Sequence, residues 1–89
     1  MSGPRWVVRK ESESVLEVGG AFARVWRESG LWRWSVTSDE VRRNGMIWVR
    51  TSTPDGHQKC ADALRAAERV MLEIGALTAH DLAGLENER

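Results

Sequence analysis

Gly19-Gly20-Ala21-Phe22-Ala23-Arg24-Val25-Trp26-Arg27-Glu28-Ser29-Gly30-Leu31-Trp32-Arg33-Trp34-Ser35-Val36 decides the fold. Two Gly-containing dipeptides bracket a run of β-branched and aromatic residues, and a second such run follows. Gly-Gly, like the Asn44-Gly45 that follows later, tolerates the positive φ that tight hairpin turns require. Both runs are rich in β-branched and aromatic residues, which favour strands. Working outward, Val15-Leu16-Glu17-Val18 precedes the first turn. Asn44-Gly45 separates the following stretch from Met46-Ile47-Trp48-Val49-Arg50-Thr51. The pattern predicts a meander of four antiparallel strands, with Trp6-Val7-Val8 as a candidate fifth. A rival reading places Val15, Val18, Phe22, Val25 and Trp26 on a helical stripe. Gly19-Gly20 then sits mid-helix at a cost of about 1 kcal/mol per Gly against Ala.

Two-residue turns at the three corners make a register that tests itself, because facing residues share a side of the sheet. Val18 then faces Ala21, Val25 faces Trp34, Trp26 faces Arg33, Val41 faces Trp48 and Asp39 faces Arg50. One side collects Leu16, Val18, Ala21, Ala23, Val25, Trp32, Trp34, Val36, Ile47 and Val49, which reads as a core. The other collects Phe22, Arg24, Trp26, Arg33, Met46, Trp48 and Arg50, which mixes aromatics with guanidinium groups.

A helix follows the strands. Thr53-Pro54 offers an N-cap and a first-turn proline. Cys60, Leu64, Ala67, Val70, Met71, Ile74 and Leu77 recur at helical spacing. Gly75 suits the position just past the helix end. Thr78-Ala79-His80-Asp81 is similar to a capping box for a second, short helix. The expected architecture is therefore α+β: a two-layer sandwich in one domain, residues 1–89. The sheet spans about 6–51, the main helix about 54–75 and the short helix about 79–85.

Composition bounds the function. The 89 residues carry 13 basic and 13 acidic side chains, net zero, which argues against attachment to nucleic acid or membrane by overall charge. Residues 1–50 hold nine Arg/Lys against six Asp/Glu, and residues 51–89 hold four against seven, so the sheet half is basic and the helix half acidic. Five Trp, one Phe and no Tyr make Trp the main aromatic of a small core. A single Cys excludes an intrachain disulfide. No stretch reaches the roughly 20 apolar residues of a membrane span, and a cytoplasmic location is the expectation.

Catalytic signals are weak throughout. Cys60 falls on the apolar stripe, where an inert thiol is expected. His57 and His80 lack metal-ligand spacing and read as solvated histidines at helix ends. Asp39 and Glu40 are strand neighbours pointing to opposite faces. Gly19-Gly20 is too short for a phosphate loop. Arg42-Arg43 reads as a solvated hairpin tip, able to reach phosphate or an acidic partner. These features predict no enzyme, no metal and no cofactor.

The Trp/Arg sheet face is the candidate site, with partner-binding residues Arg24, Trp26, Arg33, Trp48 and Arg50. Trp and Arg are enriched at binding hot spots, and an uncovered apolar patch usually marks a partner. Arg stems lying over exposed aromatics, or an N-terminal segment folded across the face, explain the same residues without a partner.

The run Gly30-Leu31-Trp32-Arg33-Trp34-Ser35-Val36, a Gly-bounded strand and an Ala-rich helix (Ala61, Ala63, Ala66, Ala67) resemble a group of small uncharacterised proteins of actinobacteria and their phages. The likeness covers residues 15 to 77. It implies a phage or mobile-element accessory protein that engages a host protein, or itself as a homodimer. The same plan is similar to the AP2-like DNA-binding domain of plant transcription factors and integrase arm-binding domains. That resemblance implies three strands packed on a C-terminal helix, with Arg24, Trp26, Arg33, Trp48 and Arg50 contacting bases and phosphates. Phosphate contacts dominate DNA affinity, so a few Arg on a neutral body predict weak binding. DNA is thus the alternative partner and a protein the first.

Overall fold

The computed structural model describes residues 3–43, 46–52 and 56–87, with backbone alone for 39–43 and 46–48. Five strands run β1 (Val7–Lys10), β2 (Glu13–Val18), β3 (Ala21–Glu28), β4 (Leu31–Arg43) and β5 (Met46–Thr51). They form one antiparallel sheet in sequential order, and the sheet does not close. Helices α1 (Cys60–Glu73) and α2 (Ala79–Asn87) follow. The meander, its fifth strand and the α+β plan match the expectation, and the helical alternative for residues 15–26 is excluded.

The first two hairpins carry the expected register, residue for residue. Val18 pairs Ala21, Leu16 pairs Ala23, Val25 pairs Trp34 and Trp26 pairs Arg33. The turn at Ser29-Gly30 holds both central residues at positive φ, +53° and +80°. That is the left-handed pair a type I′ turn needs, and its twist matches the flanking strands. The third hairpin departs. Arg43 pairs Met46 and Arg42 pairs Ile47, as expected, but the register then slips so that Ser38 pairs Trp48 and Val36 pairs Arg50. Asp39, Glu40 and Val41 are extra on β4. Asp39 therefore does not face Arg50. Because side chains alternate with period two, a slip of three residues exchanges the two faces of β5 beyond the bulge.

The main helix begins at Cys60, not at residue 54. Thr53, Pro54 and Asp55 lie outside the described residues, and the N-cap position is Lys59, whose side chain makes no capping bond. The reason is a demand from the sheet. β5 covers β4 only as far as Ser35, leaving the N–H and C=O of Trp32 without strand partners on that side. His57 supplies both, through His57 N–H to Trp32 O at 2.8 Å and Trp32 N–H to His57 O at 2.7 Å. Buried backbone groups require such partners, so the chain stays extended there instead of starting the helix. Gly56 makes the approach possible. Its φ is +59°, and a Cβ in its place would stand 2.8 Å from Trp32 O.

The C-terminus of α1 and the N-terminus of α2 behave as their sequence predicts. Gly75 N–H donates to Leu72 O and Ala76 N–H to Met71 O, a Schellman closure with Gly75 at φ +83°. Thr78 and Asp81 bond each other reciprocally, each backbone N–H to the other's side-chain oxygen at 3.1 Å. This capping box opens α2.

The core lies between one sheet face and the helices. Leu16, Ala21, Ala23, Val25, Trp34 and Val36 meet Ala63, Ala67, Val70 and Met71 of α1, with Leu77 and Leu85 closing the lower end. Ala63 and Ala67, both fully buried, let α1 lie close over β3 and β4. Trp6 packs against this core from the edge. Its indole Nε1–H donates to the Glu68 carboxylate at 2.7 Å, and Glu68 is 0% exposed. The indole supplies a polar partner that lets the charged side chain stay inside. Val49, expected in the core, is 56% exposed because of the β4 slip. Among the described residues no helix is long and apolar enough to cross a membrane.

Candidate functional site: the open sheet face

The face away from the helices carries Val15 and Glu13 from β2, Phe22, Arg24 and Trp26 from β3, and Arg33, Ser35 and Thr37 from β4. Their parity opposes that of the buried Leu16, Ala23, Val25, Trp34 and Val36. Phe22, Arg24, Trp26 and Arg33 are all half-buried. The Arg24 guanidinium stacks 4.5 Å from the centroid of the Trp26 ring, a cation–π arrangement.

Arg24 and Arg33 each have an acid beside them. Arg24 donates from Nε at 2.8 Å and from Nη2 at 2.6 Å to one oxygen of Glu13. The Arg24 hydrogen bonds hold the Glu13 carboxyl below its ordinary value, against the opposing effect of burial, and the charges of Arg24, Lys10 and Arg9 add to the lowering. Arg33 Nε lies 3.5 Å from a Glu28 carboxylate oxygen, within ion-pair range. It is shielded from solvent and makes no hydrogen bond. The same Glu28 oxygen accepts from Trp26 Nε1–H at 3.2 Å. The patch is therefore an indole and a phenyl ring set among neutralised ion pairs. Glu13 and Glu28 were not anticipated as members. The register held the clue, since Glu13 pairs directly with Trp26.

The five expected site residues do not come together. Arg24, Trp26 and Arg33 share the open face. Arg50 is on the helix side, opposite Val36, and its Nη1 lies 3.1 Å from Glu73 of α1. It lines a groove of about 360 Å³ with Trp34, Arg65 and Arg69. The correction follows from the three-residue slip. Trp48 shares the pairing parity of Arg50, since its backbone partner is Ser38. The side chains of Trp48 and Met46 lie outside the described residues, as do those of Asp39, Glu40, Arg42 and Arg43.

His57 is also reassigned. It is a half-buried bridge residue whose Nε2 accepts from Trp34 Nε1–H at 3.3 Å, not a solvated residue at a helix end. His80 is exposed on α2, as expected. Cys60 is half-buried at the start of α1, and burial pushes its thiol above the ordinary value. A raised thiol holds less nucleophilic thiolate.

Comparison of the chain with protein-family models, curated proteins and solved structures gives no match.

Proposed function

We propose that the protein is a non-catalytic binding module that docks a partner protein on its open sheet face. The observation that supports this reading is the placement of Phe22, Arg24 and Trp26 half-exposed on the one side of the sheet that the helices leave uncovered. Trp26 is the anchor, because a ring with Arg24 over its face and Glu28 on its indole N–H is pre-ordered and loses little freedom on binding. Arg24 and Arg33 orient the partner by exchanging Glu13 and Glu28 for its carboxylates. A protein suits this face better than DNA does. The guanidinium groups beside Trp26, those of Arg24 and Arg33, are already neutralised by neighbouring acids, which leaves little net charge there for phosphates.

The test is a captured partner measured against variants on both faces. Trp26→Ala abolishes capture, Arg50→Ala on the helix side does not, and nuclease treatment changes neither result. A steep loss of binding with salt, or loss of every captured partner after nuclease, overturns the reading in favour of nucleic acid. Light scattering that finds a dimer dispersed by Trp26→Ala makes the partner a second copy.

A further inference from the structure

A second surface lies at the sheet edge, adjoining the open face through Val15. β1 is an edge strand, all four of its residues are exposed, and Val7 and Val8 are 55% and 69% exposed on opposite sides of it. An edge strand presents a row of backbone donors and acceptors to any extended chain. Beside it lies an open cavity of about 320 Å³ lined by Arg5, Val7, Arg9, Val15 and Glu17, of which Val15 is almost fully buried. Neither Arg9 nor Lys10 has an ion pair among the described residues. Their positive field reaches across the strand, since both help lower the Glu13 carboxyl.

Charge decides what can lie here. In an antiparallel pairing of two copies about a twofold axis, Val7 opposite Val8 sets Arg5 against Lys10. Val7 opposite Val7 sets Arg5 against Arg9. Like charges directly opposite are destabilising, so these two registers of self-pairing are disfavoured. The same cations favour a chain of the opposite sign. Exposed valines without a stacking ring suit a strand's side chains better than nucleobases, which favour aromatic platforms.

We propose that β1 is a docking edge for an extended acidic segment of a partner protein, which adds to the sheet as a sixth strand. Its backbone pairs with residues 7–10. Its carboxylates lie against Arg9 and Lys10, and one apolar side chain enters the cavity between Val7 and Val15.

The experiment titrates the isotopically labelled full chain with a blocked peptide alternating glutamate and valine. The controls are the same peptide carrying lysine for glutamate and a short single-stranded oligonucleotide. The acidic peptide shifts the backbone amides of residues 5–10 and slows their hydrogen exchange. Arg9→Glu with Lys10→Glu weakens it about tenfold, the scale of two reversed cross-strand charge pairs. Both residues are exposed, so an unchanged circular dichroism spectrum is expected of this variant. Trp26→Ala leaves the peptide's binding unchanged, which separates this proposal from the open-face reading. Equal binding by the lysine peptide, shifts centred on Arg24 and Trp26, or the same amide shifts from the oligonucleotide at physiological salt overturn it. So does concentration-dependent pairing of β1 with itself.

Discussion

Replacing Trp6 with Phe keeps an aromatic ring at the edge of the core and removes one donor, the indole N–H that reaches Glu68 at 2.7 Å. Glu68 is fully shielded from water, so solvent does not replace that donor without opening the packing of α1 against the sheet. A hydrogen bond to a charged group contributes about 1.5–3 kcal/mol. A loss near 2 kcal/mol lowers the melting temperature of a domain this size by roughly 8–16 °C. In urea it moves the midpoint by about 1–2 M for the slopes typical of small domains. Trp26→Phe is the matched control. Its indole N–H also meets a carboxylate, but Glu28 is exposed, and the expected change is within about 0.5 kcal/mol. Far-ultraviolet circular dichroism is the readout of choice, because both substitutions alter tryptophan fluorescence directly. A cycle with Glu68→Gln should return a coupling of at least about 1 kcal/mol. Equal shifts for Trp6→Phe and Trp26→Phe would refute the division of the tryptophans into those that hold the fold and those that meet a partner.

Other outcomes follow from the same geometry. Because Arg24 lowers the Glu13 carboxyl from its ordinary 4.5, the ionised form stabilises the fold above that pH. The contribution fades as pH falls through the lowered folded value. An acid titration of stability should therefore be steeper below about pH 5 in the native chain than in Glu13→Gln. Gly56→Ala places a Cβ against Trp32 O at a left-handed φ; destabilisation should exceed the roughly 1–2 kcal/mol of the backbone term alone, with His57 amide exchange accelerated. The Arg50–Glu73 pair is half-exposed on both sides, so its double-mutant coupling should fall in the range of about 0.2–1 kcal/mol and shrink with salt.

The hairpins at Gly19-Gly20 and Ser29-Gly30 were legible from sequence because turn chemistry and strand alternation are local and agree with each other. Every pairing from Val18–Ala21 to Glu28–Leu31 follows from them. The helix ends at Gly75 and Thr78 were legible for the same reason. Three features were not. The extra residues Asp39–Val41 reverse the faces of β5 and carry Arg50 away from Arg24 and Arg33; a bulge leaves no mark in a stretch whose turn signal at Asn44-Gly45 is intact. Cys60 starts the helix six residues after a persuasive Thr-Pro cap, since Trp32 on a distant strand needs the backbone of His57. Glu68 is buried because Trp6, sixty-two residues earlier, donates to it. Sequence by itself determined the strands, their order, the turn-bounded register and the apolar faces. Tertiary structure decided which cations share a surface, because a bulge within β4 exchanges the faces of β5, and where the helix starts, because His57 must pair with a distant strand; no local pattern encodes either demand.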